Sequence, residues 1–181
     1  MLVLLLGCFS WSSPLSAGLV TIDVTALGGQ KHFADSAGVA LPDGNEVRVG
    51  TFGAAFDPAS AAGDLPTLQA NFMQIGESTT VTRFGQTGSL SASFEANDGT
   101  FASQRLYLWA FKTTGNTAAE ANIANVTEYG LYTRNSADWL VPNANAIPSI
   151  LRNSDEVNQA IFGTVQAGFL GTAAVVPEPT S

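Results

Sequence analysis

Apolar and polar positions alternate with period two along much of this chain. From Gly18 onward, Val20, Ile22 and Val24 fall on one side and Thr21, Asp23 and Thr25 on the other, until Gly28-Gly29 ends the run. A strand with one wet face is the expectation. Leu90, Ala92, Phe94 and Ala96 alternate in the same way with Ser89, Ser91, Ser93 and Glu95, and Val47, Val49 and Thr51 stand opposite Arg48 and Phe52. The alternation vanishes in Arg105–Lys112, where only apolar and aromatic residues lie between the two charged ends. Leu106, Leu108 and Ala110 would point one way and Tyr107, Trp109 and Phe111 the other. A strand apolar on both faces belongs in the middle of a sheet, covered above and below. Its aromatic content and short length set it apart from a buried helix.

Weaker signals complete the layout. Thr79–Phe84, Thr127–Arg134, Trp139–Val141 (stopped by Pro142) and Thr164–Val176 read as strands, the last with Gly168 and Gly171 as candidate breaks. Asp43-Gly44-Asn45 and Asn97-Asp98-Gly99 read as turns. Leu65, Leu68, Phe72 and Ile75 follow helical spacing, with Pro66 in the first turn and Gly76 at the end. Thr117–Asn125 predicts a short helix in which Thr117 and Glu120 form a capping box, and Ser154 caps another with Asp155 and Glu156 in its first turn. Short strands separated by turns, with few helices between them, predict an all-β fold. We expect an antiparallel β-sandwich over residues 18–175, jelly-roll-like, with one or two short helices; a closed barrel is the alternative.

Composition narrows the function classes. Only 12% of the 181 residues are charged and 45% are hydrophobic, against a usual ~25% charged. The net charge is −8 and the seven Lys and Arg residues are scattered. A phosphate-tracking nucleic-acid surface and a polybasic membrane patch are both disfavoured. The only cysteine, Cys8, lies in the apolar run Leu2–Phe9. That run and the following Ser-Trp-Ser-Ser-Pro-Leu-Ser-Ala resemble a secretory signal peptide, residues 1–17, cleaved after Ala17. Leu5-Leu6-Gly7-Cys8 also resembles a lipoprotein lipobox, and a buried first strand is a third reading. No Lys or Arg precedes the apolar run, so a basic n-region is expected upstream of Met1.

Candidate chemistry is sparse. His32 is the only histidine, which argues against a site of several His ligands. No Gly-x-Ser-x-Gly elbow accompanies it, and a solvated loop position is expected for it. Glu95 with Asp98, and Asp155 with Glu156, are the carboxylate pairs a glycoside hydrolase would need, although turn and helix-start preferences also explain them. No calcium-loop, Walker or dinucleotide motif occurs, so no metal and no cofactor are expected. Tyr107, Trp109, Tyr132 and Trp139 could form a platform for sugar rings, with Trp139 and Tyr132 as the candidate glycan contacts; a core role is the competing reading.

Val176-Pro177-Glu178-Pro179 resembles the opening of a PEP-CTERM sorting signal, found on exported proteins of Gram-negative bacteria that make exopolysaccharide. In that family Pro-Glu-Pro precedes an apolar membrane stretch and a basic cluster. Ser181 falls before both, so a gene fragment whose sorting signal starts at 176–181 is the expectation. Phe33–Gly38, Val47–Phe52, Leu106–Phe111, Tyr129–Thr133 and Trp139–Pro142 are similar to segments of PEP-CTERM proteins. The resemblance implies secretion or cell-surface location, with the export machinery and an exosortase-type processing enzyme as partners and exopolysaccharide as a further candidate. An exported, non-enzymatic surface or extracellular-matrix β-sandwich is therefore expected. A carbohydrate-binding module with exposed aromatics and a glycoside-hydrolase-like enzyme with paired carboxylates remain as alternatives.

Overall fold

The computed structural model describes residues 19–77, 79–80, 82–83, 86–117, 123–142 and 149–175, and every structural statement below concerns these residues. In chain order its strands are β1 (Leu19–Ala26), β2 (His32–Ala34), β3 (Glu46–Phe52), β4 (Phe72–Gln74), β5 (Thr79–Thr80), β6 (Thr82–Arg83), β7 (Gln86–Thr87) and β8 (Leu90–Asn97). They continue with β9 (Tyr107–Thr113), β10 (Val126–Thr133), β11 (Ser149–Asn153), β12 (Gln159–Phe162), β13 (Thr164–Val165), β14 (Phe169–Gly171) and β15 (Ala173–Ala174). Two short α-helices, α1 (Leu65–Asn71) and α2 (Asp98–Phe101), and four 3-10 turns lie between them.

The strand that is apolar on both faces takes the central place. The larger sheet runs β12-β10-β9-β3-β4, with β9 in the middle. Leu108 and Ala110 of β9 point, with Val47, Val49 and Tyr132 of its neighbours, into a core shared with Val20, Ile22, Val24 and Phe94 of a second sheet, β11-β1-β8. Tyr107, Trp109 and Phe111 point the opposite way, into a second core with Phe52, Tyr129 and Leu131. That core is roofed by Leu65 and Leu68 of α1 and by Ala61. The molecule is thus an all-β sandwich whose larger sheet is covered on both faces. In β1 and β8 the alternation is realised directly: Val20, Ile22, Val24, Phe94 and Ala96 are buried, whereas Ser93 and Glu95 are exposed.

Pairing is mainly antiparallel, but β1 pairs with β11 and β2 with β14 in parallel. Parallel pairing requires a long connection back to the same end, which the chain between β1 and β11 provides. The helix expected through Ile75 ends at Asn71. Asp64 caps its start, its carboxylate accepting from Thr67 N at 3.0 Å. Residues 72–74 turn extended because they pair with the edge of β3, Phe72 opposite Phe52 and Gln74 opposite Gly50. Gly50 is required there, since the Phe72 ring lies against its bare Cα. The strand expected at Trp139–Val141 is a 3-10 turn, Ala137–Trp139, capped by Ser136. The last strand is broken into β13, β14 and β15. Of the turn expected at Asn97-Asp98-Gly99, Asn97 ends β8 and Asp98-Gly99 open α2, and residues 118–122 of the expected Thr117–Asn125 helix lie outside the described residues.

Candidate functional site

The aromatic platform is not built. Trp139, Tyr132 and Trp109 each have 0% relative exposure and Tyr107 has 8%, so none offers a ring face to a sugar. Trp139 lies between the sheets and donates from Nε1 to Glu156 Oε2 at 2.8 Å. Tyr132 is folded over Gly130, two residues back on the same face. Trp109 packs edge-on against Phe72, with ring centroids 4.9 Å apart. Tyr107, Trp109 and Tyr132 fall on sheet faces that another layer covers, and the 3-10 turn at Trp139 tucks its ring between the sheets, where large rings contribute most to packing.

Asp155 and Glu156 are both taken up by structural hydrogen bonds, and the Asp98 side chain lies outside the described residues. Asp155 accepts from Lys31 N at 2.8 Å, and Glu156 is held by Trp139 and by Asn153 Nδ2 at 3.2 Å. Both are occupied in joining segments. Glu95, on the exposed face of β8, instead lines a shallow cleft of about 510 Å³ with Glu77, Thr21 and Ser93. Glu77 carries no strand or motif signal, so reading the sequence missed it. His32 is a half-buried residue of β2, its ring 6.0 Å from that of Phe169, and not a solvated loop residue as expected. Ala17 and Pro177, Glu178 and Pro179 lie outside the described residues.

One ion cluster joins distant segments. Lys112 Nζ lies 3.0 Å from Asp35 Oδ2 and 2.8 Å from Glu128 Oε1. Glu128 Oε2 accepts from Ser36 N and from Thr172 Oγ1, each at 2.7 Å. Burial raises the Asp35 carboxyl, but hydrogen bonds from Lys112 and the Val39 and Ala37 N–H groups outweigh it and the net shift is downward. Burial likewise raises Glu128, and hydrogen bonds from Lys112, Thr172 and Ser36 bring it below the usual range. The Glu128 hydrogen bond holds Lys112 above its ordinary value. The cluster pins the β2 loop to β9, β10 and the chain after β14.

Among the described residues, the outer face of the β11-β1-β8 sheet has no layer packed on it. The register places Thr21 beside Ser149 and Glu95, and Asp23 beside Leu151 and Ser93. Thr25 stands opposite Ser91. Neighbouring strands are ~4.8 Å apart and like-facing side chains ~7 Å apart along each strand, so these groups form a flat grid. Asp23 organises it, accepting from the Ser93 hydroxyl on one side and from Ser149 Oγ, at 3.4 Å, on the other. Leu151, 58% exposed, is its one large apolar residue. The grid can exchange hydrogen bonds over a broad area through hydroxyls and carboxylates, and contains no aromatic ring. Among the described residues, no three His, Cys, Asp or Glu side chains converge, and no helix is long and apolar enough to cross a membrane.

Fold and grid together define an all-β sandwich with one polar, uncovered sheet face. No family model matches the chain, and no curated protein or solved structure matches it.

Proposed function

We propose that the protein is an exported, non-enzymatic β-sandwich of the cell surface or extracellular matrix, and that the face built on Thr21, Asp23, Ser93 and Ser149 lies against a neutral exopolysaccharide. The observation that carries this reading is the uncovered hydroxyl and carboxylate grid on one sheet, beside another sheet whose two faces are both buried. Sugar hydroxyls donate readily to carboxylates and exchange bonds with Ser and Thr. Asp23 and Glu95, in a chain of net charge −8, disfavour an anionic polymer. Export and exosortase-type processing rest on the resemblances at residues 1–17 and 176–181.

The test is co-sedimentation of the full chain with a neutral bacterial exopolysaccharide. Binding is expected for the native protein and should be lost in Thr21→Arg and Ser93→Arg, which raise long side chains from the grid at unchanged melting temperature. Failure of the native protein to sediment, or equal binding by both variants, would overturn the surface assignment. Fractionation of an exopolysaccharide-producing Gram-negative host carrying the whole reading frame tests export; cytoplasmic retention would refute it. A hydrolytic second reading has one observation in its favour, the cleft shared by Glu77 and Glu95. Both side chains are exposed, whereas a general acid needs surroundings that keep it protonated near neutral pH. Release of reducing sugar from the same polymer, abolished in Glu95→Gln, would reinstate it.

A further inference from the structure

At the end of the sheet where β1 stops and β8 begins lies a groove of about 350 Å³, at the lower end of the ~300–1,000 Å³ range of small-ligand sites. One wall is the turn from Leu27 to Gln30, closed by Gln30 N to Leu27 O at 2.8 Å and by Leu27 N to Gln30 Oε1 at 2.8 Å. The other is the segment 86–89, tied to the β2 region by Phe33 N to Gly88 O at 2.8 Å and Gly88 N to Leu41 O at 2.9 Å. Gly88 has φ 72°, and a Cβ there would meet Phe33 O at 2.4 Å and His32 Cδ2 at 3.3 Å. The bare glycine lets the second wall close against the β2 backbone at Phe33, beside the His32 ring.

The lining has a consistent chemistry. His32, Gln86 and Thr87 supply polar groups, while Ala26, Leu27 and Ala40 supply small apolar patches. An imidazole and an amide both exchange hydrogen bonds with hydroxyl groups. The Gln86 amide is seated on Gly28, where a Cβ would approach Nε2 to 3.0 Å. Among the described residues, no carboxylate or ammonium lines the groove. Lys31, next in sequence to Gln30, is turned away, its ammonium donating to the carbonyls of Asp155 and Val157 at 2.9 Å each. A cation would find no counter-charge here, and an anion would meet a protein of net charge −8.

We propose that this groove binds a small uncharged sugar, its hydroxyl edge meeting His32 and Gln86 and its C–H face the alanine and leucine patches. The ligand class rests on the polysaccharide reading above, but the groove and its lining do not. Titration calorimetry of the full chain with D-glucose, D-galactose, D-mannose and N-acetyl-D-glucosamine tests it, with D-glucuronate and D-glucosamine as charged counterparts. At least one neutral sugar should bind with a millimolar Kd, more tightly than either charged one. Gln86→Ala, at an exposed position, should weaken that binding by roughly tenfold, and Gly28→Val should abolish it, both with unchanged melting temperature. Absence of binding by every neutral sugar, equal affinity for glucuronate, or indifference to both substitutions would each overturn the proposal. The two readings fail separately: polymer sedimentation without monosaccharide binding removes the groove alone, and monosaccharide binding without sedimentation removes the grid alone.

Discussion

Gly130 on β10 is the position where adding a single methyl group should do most damage. Gly130→Ala places a Cβ 2.7 Å from Tyr132 Cε2, and closer still to the carbon and oxygen of the phenol. The backbone raises no objection, since Gly130 is not among the positive-φ glycines. Without the ring, alanine would stabilise by about 0.4–1 kcal/mol by restricting the unfolded chain. The ring reverses the sign. Tyr132 is fully buried between the sheets, so the ring can yield only by displacing core neighbours. Overpacking of this kind costs about 1–3 kcal/mol, and complete loss of a buried aromatic's packing about 3–5. A destabilisation of about 3 kcal/mol is therefore expected, lowering the melting temperature by roughly 10 °C at this chain length. Urea unfolding of the native protein, Gly130→Ala, Tyr132→Ala and the double variant measures it as a cycle. In the Tyr132→Ala background the same methyl should be nearly neutral, giving a coupling of about 2 kcal/mol or more. An equal cost in both backgrounds, or a stabilising Gly130→Ala, would refute the reasoning.

Leu108→Asp, which puts a charge into the core on the central strand, should abolish cooperative folding, because an unpaired buried charge costs several kcal/mol of a total of about 5–15. Ser91→Asp, on the outer face of β8, should melt within a few degrees of the native protein; a soluble, cooperatively melting Leu108→Asp would remove β9 from its central role. The depressed Asp35 and Glu128 carboxyls stabilise the fold above their ordinary pKa values of roughly 4, a contribution lost as pH falls through their lower folded-state values. The raised Lys112 contributes below its ordinary value of about 10.4, and that contribution is lost as pH rises through its folded-state value. Melting curves across pH should show both limbs, and Glu128→Gln should lower the neutral plateau by about 1–3 kcal/mol and flatten the acid limb; an unaltered acid limb would contradict the cluster's role. Chelator and reductant should leave the melting temperature unchanged, and a clear fall with EDTA would reveal a structural metal.

Local pattern carried a large part of the fold. The wet-faced strands β1 and β8 and the doubly apolar β9 were readable because side-chain direction alternates strictly along an extended chain, so a strand's own residues record which of its faces is buried. Helix α1 was readable at its start, where Pro66 sits in the first turn, and misread at its end, while the Asp64 cap went unread. Phe72 is equally at home on a helix face or over Gly50, and β3 decided between them by offering a ladder.

The candidate sites depended on the tertiary structure. Whether Trp139 and Tyr132 are platform or core depends on what lies above them, which no spacing in the chain records. The grid needs the parallel pairing of Ser149 and Leu151 with β1, across more than a hundred residues of sequence. The cluster of Asp35, Lys112, Glu128 and Thr172, the Glu77–Glu95 cleft and the His32 groove assemble in the same way from elements far apart in the chain. Period and propensity are properties of neighbours in sequence and fix what each strand is. Which strands meet, and in what register, is set by the packing of the whole, and the sites form only where those strands meet.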